Sequence, residues 1–286
     1  MKIRKAVITA AGFGTRFLPI TRSQPKEMLP LVDKPLIQYS VEEAIKSGID
    51  RIVIVTSASK RAIEDYFSHT PELENFLASK GETKLSQRMR EIGAMADFCY
   101  VLQKEPKGLG DAVLTVKVVV GDEPFALMLP DDIIDSNVPV LKQMLDVYEK
   151  YNSGVVAVVR VKDEDTSNYG IIKPKEVTKG VYQILEMVEK PGPAKAPSRL
   201  AIVGRYILTP RIFEILKDTK PGKNGEIQLT DALNTLLKQE KLYAVEFKGT
   251  RYDAGTPLGW LQANIELALK RKDIGGELKK YLKKLL

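Results

Sequence analysis

The stretch Lys5-Ala6-Val7-Ile8-Thr9-Ala10-Ala11-Gly12-Phe13-Gly14-Thr15-Arg16 sets the terms on which the rest of this 286-residue chain is read. Lys5 to Ala10 reads as a buried strand, because after the lysine every residue is small, apolar or β-branched. Two glycines follow. They let the backbone approach a ligand closely, and successive amides in such a loop form an anion-binding concavity. A bare Gly-x-Gly after a strand is equally a tight turn. No Gly-Lys-Ser/Thr closes it, so it is not a P-loop. The third glycine and the later acidic residue of the dinucleotide fingerprint are also missing, which removes a Rossmann dehydrogenase. Arg16 directly after the loop, and Lys26 in Gln24-Pro25-Lys26-Glu27-Met28-Leu29-Pro30, place two cations near the amides. Either alone reads as a solvated surface charge. Together they suit a polyphosphate better than a nicotinamide.

Outward from this loop, strands and helices alternate. Pro35 opens a helix carrying Ile37, Val41, Ala44 and Ile45 and closed by Gly48. Arg51 to Thr56, Phe98 to Gln103 and Phe125 to Leu129 read as strands. Lys60 to Phe67, Gly110 to Val120 and Asn137 to Tyr151 read as helices. This order predicts an α/β fold with a mostly parallel central sheet flanked by helices. Ligands in such sheets bind at the carboxyl ends of the strands. The clusters after Ala10, around Gln103 to Gly110 and at Asp131-Asp132 all fall there. Pro71 to Met95 is polar and helix-prone and reads as an insertion.

After Gly154 the pattern becomes mixed, as expected of a smaller lobe grafted onto the sheet. Strands are expected at Val155 to Val161, Tyr169 to Lys173, Tyr182 to Val188, Leu200 to Leu208 and Tyr243 to Phe247. Helices are expected at Pro210 to Lys217, Ile227 to Gln239, Leu258 to Lys272 and Gly276 to Leu286. The expected organisation is a core over 1–153, a part continuous with it over 154–257, and C-terminal helices over 258–286 available for an oligomer contact.

Composition narrows the chemistry. Lys and Arg number 44 against 37 Asp and Glu, a net charge of +7. Much of the excess lies in Lys270-Arg271-Lys272 and at Lys279, Lys280, Lys283 and Lys284, which alternate with Leu278, Tyr281, Leu282 and Leu285. That spacing is a solvated helix face over an apolar stripe, so no nucleic-acid partner is expected. A single cysteine excludes an intramolecular disulfide framework and a multi-cysteine zinc site, and a single histidine excludes a catalytic pair. No stretch approaches the roughly 18 apolar residues of a membrane span, and the start lacks a signal-peptide apolar region, so a cytoplasmic protein with no membrane partner is expected. Any chemistry must therefore run on carboxylates, Lys, Arg and backbone amides, with or without a hard metal.

The run from Ala10 to Glu43, AAGFGTRFLPITRSQPKEMLPLVDKPLIQYSVEE, resembles the bacterial-type UTP–glucose-1-phosphate uridylyltransferases, or UDP-glucose pyrophosphorylases, of the sugar nucleotidyltransferase family. The resemblance continues in family order through Lys107-Gly108-Leu109-Gly110, Leu129-Pro130-Asp131-Asp132, Tyr169-Gly170-Ile171-Ile172, Glu189-Lys190-Pro191, Val203-Gly204-Arg205-Tyr206 and Arg251-Tyr252-Asp253-Ala254-Gly255-Thr256. It departs at Asp111, where many relatives carry His, and at Arg22, where Lys is common.

The resemblance implies a Rossmann-like nucleotidyltransferase fold with a sugar-binding lobe, and the substrates UTP, glucose 1-phosphate, UDP-glucose and pyrophosphate. It implies Ala11, Gly12 and Gln103 on the uracil, Gly108 near the base or ribose, and Arg16 and Lys26 on the triphosphate, with Ala10, Gly14, Thr15 and Asp131 completing the nucleotide site. Glu189 would accept sugar hydroxyls, Lys190 would pair with the sugar phosphate, and Gly170 and Gly204 would admit the hexose. Arg16, Lys26 and Lys190 are the expected catalytic cations. Mg²⁺ is the expected cofactor, held by Asp131 and Asp253, and a homo-oligomer, dimer or tetramer, is expected.

The chemistry agrees with this residue set. A sugar phosphate attacking an α-phosphorus is already a nucleophile, since its second pKa is about 6. No nucleophilic side chain or strong base is required. The barrier lies in bringing two anions together, which positioning, cations and amide dipoles lower. Magnesium takes oxygen ligands, typically one or two carboxylates plus substrate phosphates. Taken alone, Asp131 would read as a helix cap, Asp253 as a turn former, and Glu189-Lys190 as an exposed pair. The alternative function is a non-catalytic regulatory paralogue, whose signature would be loss of the Gly-rich loop, Lys26, Asp131 or Asp253. His69, Cys99 and Trp260 are read as surface, core and packing residues.

Overall fold

The computed structural model describes residues 2–222 and 225–285. Its strands are β1 (Lys5–Thr9), β2 (Pro30–Leu31), β3 (Lys34–Pro35), β4 (Arg51–Thr56), β5 (Asp97–Leu102), β6 (Phe125–Met128), β7 (Asp132–Asp135), β8 (Val155–Arg160), β9 (Gly170–Thr178), β10 (Val181–Glu189), β11 (Leu200–Leu208), β12 (Tyr243–Glu246) and β13 (Thr250–Asp253). Nine of these form one sheet in the order β5-β4-β1-β6-β11-β8-β12-β10-β9. From β5 to β6 all pairings are parallel, with Val7 between Val53 and Leu127 in register. β11 then runs antiparallel to both β6 and β8, and the far end mixes a parallel β8–β12 pair with antiparallel β12–β10 and β10–β9 pairs.

Strand residues alternate between two cores, as period-two geometry requires. Val7, Val53, Val55 and Leu127 face Val113, Phe213, Leu216 and Leu233 on one side. Ala6, Ile8, Ile52 and Ile54 face Ile37, Val41, Leu141 and Met144 on the other. Burial on both faces explains the unbroken apolar run that opens the chain. A third core joins Phe17, Leu29 and Leu31 to Ile133, Tyr252 and Ala263. It seats the helix Pro257–Lys270 against the loop after β1, and so carries the distant segment around Asp253 to the same edge as β1.

Element boundaries move where caps decide them. The helix expected from Asn137 starts at Val140, after Pro139. The helix expected over 110–120 is two pieces, Leu109–Thr115 and Lys117–Val120. The Pro71–Met95 stretch forms the helices Pro71–Ser79 and Thr83–Gly93, clasped where Glu74 accepts from Ser86 Oγ through its carbonyl at 2.9 Å and from Arg90 Nε through its carboxylate at 2.9 Å. The last helix is Gly275–Leu285, and Leu286 lies outside the described residues. The antiparallel β7–β13 ladder was not expected. Asp132-Ile133-Ile134-Asp135 is too short and too charged at its ends to announce a strand without its partner. Trp260 packs edge-on to Phe17 and donates Nε1 to the Pro30 carbonyl at 3.0 Å, Cys99 is partly buried against the core, and His69 is exposed.

Candidate active site

The loop after β1 begins by leaving the sheet. Ala10 still donates its amide to the Val55 carbonyl at 2.7 Å and is buried, outside the lining of the cavity that follows it. Ala11, Gly12, Gly14 and Thr15 then line a cavity of about 560 Å³ together with Lys26, Gln103, Gly108 and Asp131. Gly14 turns at φ 65°, and a Cβ there would sit 3.1 Å from both Lys26 Cβ and Thr21 Cγ2. Glycine is favoured on both counts. Gly108 turns at φ 99° and packs against 226–227, where a Cβ would meet Glu226 Cβ and the Ile227 carbonyl at 2.9 Å. Beneath the loop the buried pair Glu27–Lys60 closes at 2.8 Å and anchors the turn that carries Lys26.

Lys26 Nζ reaches Asp131 Oδ2 at 2.6 Å. Burial alone would raise the Asp131 carboxyl, but Lys26 beside it, by charge and hydrogen bond, holds it below the usual carboxylate range. For Lys26, desolvation works downward and is outweighed by Asp131 and Glu27, so the ammonium is held above its ordinary value. Asp131 is thus an anion and Lys26 a cation at the edge of the sheet.

The loop that presents Asp131 is fastened from below by Arg205, which is 1% exposed. Its guanidinium donates to the carbonyls of Leu129 (3.0 Å), Gly204 (2.9 Å) and Asp132 (2.8 Å), and to the Glu43 carboxylate at 2.8 Å. Asp132 is a second fastening. Its carboxylate accepts from the Gly204 amide at 2.7 Å and pairs with Arg251. The two adjacent aspartates therefore divide: Asp132 ties the loop to β11 and reaches only a second cavity, whereas Asp131 lines both that one and the first.

A second cavity, of about 660 Å³, opens on the other side of Asp131. Arg16, Gly170, Glu189, Lys190, Gly204 and Asp253 line it, and Leu109, Leu129 and Asp131 are common to both cavities. Glu189 Oε2 accepts from Thr230 Oγ1 at 2.7 Å, while Lys190 turns at φ 47° with Nζ 3.6 Å from Glu189 Oε1. Arg16 approaches the Gly255 carbonyl at 3.4 Å. A Cβ at Gly170 would meet Glu189 Oε2 at 3.2 Å. At Gly204 it would meet Asp132 Oδ2 and Leu129 Cβ at 2.6 Å, so glycine there lets the loop pack against β11 while its backbone lines the cavity.

Further polar side chains stand on the cavity walls. Arg251 and Tyr169 lie inside recognised motifs, and in the fold Arg251 Nη1 donates to Tyr169 Oη at 3.0 Å on the cavity wall. Thr230, Gln228 and Glu226 come from a stretch with no local signal, and only folding carries them to the cavities.

Asp131 and Asp253 converge on Gly255. A Cβ there would lie 2.8 Å from Asp131 Oδ2 and 3.1 Å from Asp253 Oδ1, so the missing side chain leaves a cradle between two carboxylates. Among the described residues no group of three or more His, Cys, Asp or Glu could hold a metal unaided. Two carboxylates without imidazole or thiolate suit a hard divalent ion that completes its shell with substrate phosphates and water.

The nucleotidyl transferase family model matches residues 5–269. The UTP–glucose-1-phosphate uridylyltransferase of Bacillus subtilis (strain 168) is 49% identical over 285 residues, covering 100% of this chain and 98% of the relative. A crystal structure of a UDP-glucose pyrophosphorylase complexed with UDP-glucose superposes with TM-score 0.86 at 50% identity, covering 94% of this chain and 100% of the other. The UTP-bound enzyme from Acinetobacter baumannii superposes with TM-score 0.93 at 36% identity over 100% of both chains.

Proposed function

The chain belongs to the nucleotidyl transferase family, and from that premise we propose how its site performs uridylyl transfer from UTP to glucose 1-phosphate, giving UDP-glucose and pyrophosphate. The observation that carries this reading is the junction of two cavities at one carboxylate, Asp131, with Lys26 on it and Asp253 opposite. UTP occupies the cavity under the Gly-rich loop, with uracil against Ala11, Gly12 and Gln103, ribose near Gly108, and triphosphate toward Gly14, Thr15 and Lys26, its end reaching the junction where Arg16 stands on the wall of the other cavity. Glucose 1-phosphate occupies the other cavity, with hydroxyls toward Glu189 and phosphate toward Lys190.

At the junction a phosphate oxygen of the sugar attacks the α-phosphorus in line. The new O–P bond forms as the bond to the β-phosphate oxygen breaks, and pyrophosphate departs with that electron pair. No proton need be removed by the protein. Lys26 and Arg16 offset charge gathering on the leaving group, and Lys190 holds the nucleophile against its repulsion from UTP. Asp131 and Asp253 fit Mg²⁺, which when bound would supply charge neutralisation across the phosphates.

The test is pyrophosphate release with magnesium, crossing UTP, dTTP, ATP, CTP and GTP against glucose, galactose and N-acetylglucosamine 1-phosphates. The expected result is a signal strongest for UTP with glucose 1-phosphate and abolished by EDTA. A different best pair overturns the specificity, EDTA-resistant release overturns the metal, and UTP binding without release from any pair establishes a regulatory protein instead.

A further inference from the structure

Gln103 is the first residue beyond β5, and its amide N–H is bound to the Thr56 carbonyl at 2.9 Å. It is 8% exposed and lines the nucleotide cavity. A glutamine amide there could present either of two opposite faces to a base: a carbonyl that accepts, or an NH₂ that donates. Its Nε2 lies 2.7 Å from Asp111 Oδ2 and 3.3 Å from the Gly108 carbonyl. A carboxylate and a peptide carbonyl only accept. Turning the amide over would set its oxygen against two oxygens and lose both bonds, so the nitrogen faces Asp111 and both of its protons are used. No described residue donates to Oε1, and Oε1 is not among the sealed, unpartnered atoms. What Gln103 offers a ligand is an acceptor.

We infer that Asp111 is a positioning residue for base selection, locking Gln103 so that its carbonyl faces an imide N–H. This rests on the uridylyl-transfer reading and deepens it. Uracil carries a proton on N3, where cytosine carries a lone pair. A locked acceptor therefore bonds the first and repels the second, while a freed amide could turn to serve either. Thymine has the same imide edge as uracil, so the lock is indifferent between UTP and dTTP. Asp111 also lies in the first turn of the helix Leu109–Thr115, where an acidic side chain is favoured by the helix dipole. That structural role would act on every nucleotide alike.

The experiment measures kcat/KM for UTP, CTP and dTTP with saturating glucose 1-phosphate, in the wild type, Asp111→Asn and Asp111→Ala. One oriented hydrogen bond sets the scale at about tenfold. The UTP:CTP preference should fall about tenfold in both variants, with the UTP:dTTP preference unchanged. Equal losses on all three nucleotides, or an unaltered UTP:CTP preference, would overturn the inference. Asn is nearly isosteric and keeps the test open if Ala does not fold. Failure of the underlying reading is separately visible, because the wild type would then not favour UTP.

Discussion

Gly255→Ala isolates the cradle between the two carboxylates without altering charge. The new methyl carbon would begin 2.8 Å from Asp131 Oδ2 and 3.1 Å from Asp253 Oδ1. Ordinary carbon–oxygen contact requires roughly half an ångström more at Asp131. Asp131 cannot swing freely, because Lys26 holds that same oxygen at 2.6 Å and the Ala254 amide donates to its backbone carbonyl at 2.9 Å. Overpacking of this kind costs about 1–3 kcal/mol in a well-packed core, and less here, where one side is an open cavity. Stability should therefore change little. Turnover should change far more, because displacing reacting groups by about 1 Å can cost on the order of 100-fold. The assay is pyrophosphate release across a magnesium titration, beside a thermal melt. The expected outcome is a melting temperature within a few degrees of wild type, a rise in the magnesium needed for half-maximal rate, and a fall in kcat of about tenfold to 100-fold. Wild-type kcat at wild-type magnesium demand would refute the argument that this space lies between working ligands.

Three other outcomes are expected. Arg205→Met leaves Glu43 and three carbonyls without their buried donor, and loss of one partner of a buried pair costs about 3–5 kcal/mol; an unchanged denaturant midpoint would contradict the role of Arg205 as the fastening of the Asp131 loop. Lys190→Ala should raise KM for glucose 1-phosphate much more than KM for UTP, and steady-state kinetics in both substrates decide it. Because the folded Asp131 carboxyl lies below its unfolded value, near 3.9, its pairing with Lys26 stabilises fully above about pH 4 and is lost as pH falls through the folded value. The stability deficit of Asp131→Asn should hence be constant from neutral pH down to about pH 5 and shrink below about pH 4, a trend that chemical denaturation at each pH would show or disprove.

How much of this was legible beforehand varied with the range of the interactions involved. β1, β4, β6 and β11 were readable because each is buried on both faces, and burial on both faces forces continuous apolar composition. The Gly-rich loop was readable because glycine takes φ 65° at Gly14, and the close approach to Lys26, without strain. The β7–β13 ladder was not, since neither strand has a pattern of its own and each exists by pairing with the other. Nor was the different fate of Asp131 and Asp132, adjacent and chemically alike, which depends on which one points back to the Gly204 amide and Arg251.

The class of the molecule was written in the sequence alone: an α/β sheet with Gly-rich and acidic loops at one edge, and no pair of histidines or cysteines to work with. These are local or compositional properties, written in period, glycine placement and residue counts. What meets what was settled by folding. Lys26, Asp131 and Asp253 converge because the third core docks the C-terminal segment beside the first loop. Gln103 acquires a single face because helix and strand bring Asp111 within 2.7 Å of it. Contacts of that kind join residues far apart in the chain, and their geometry is set by the packing of everything between them.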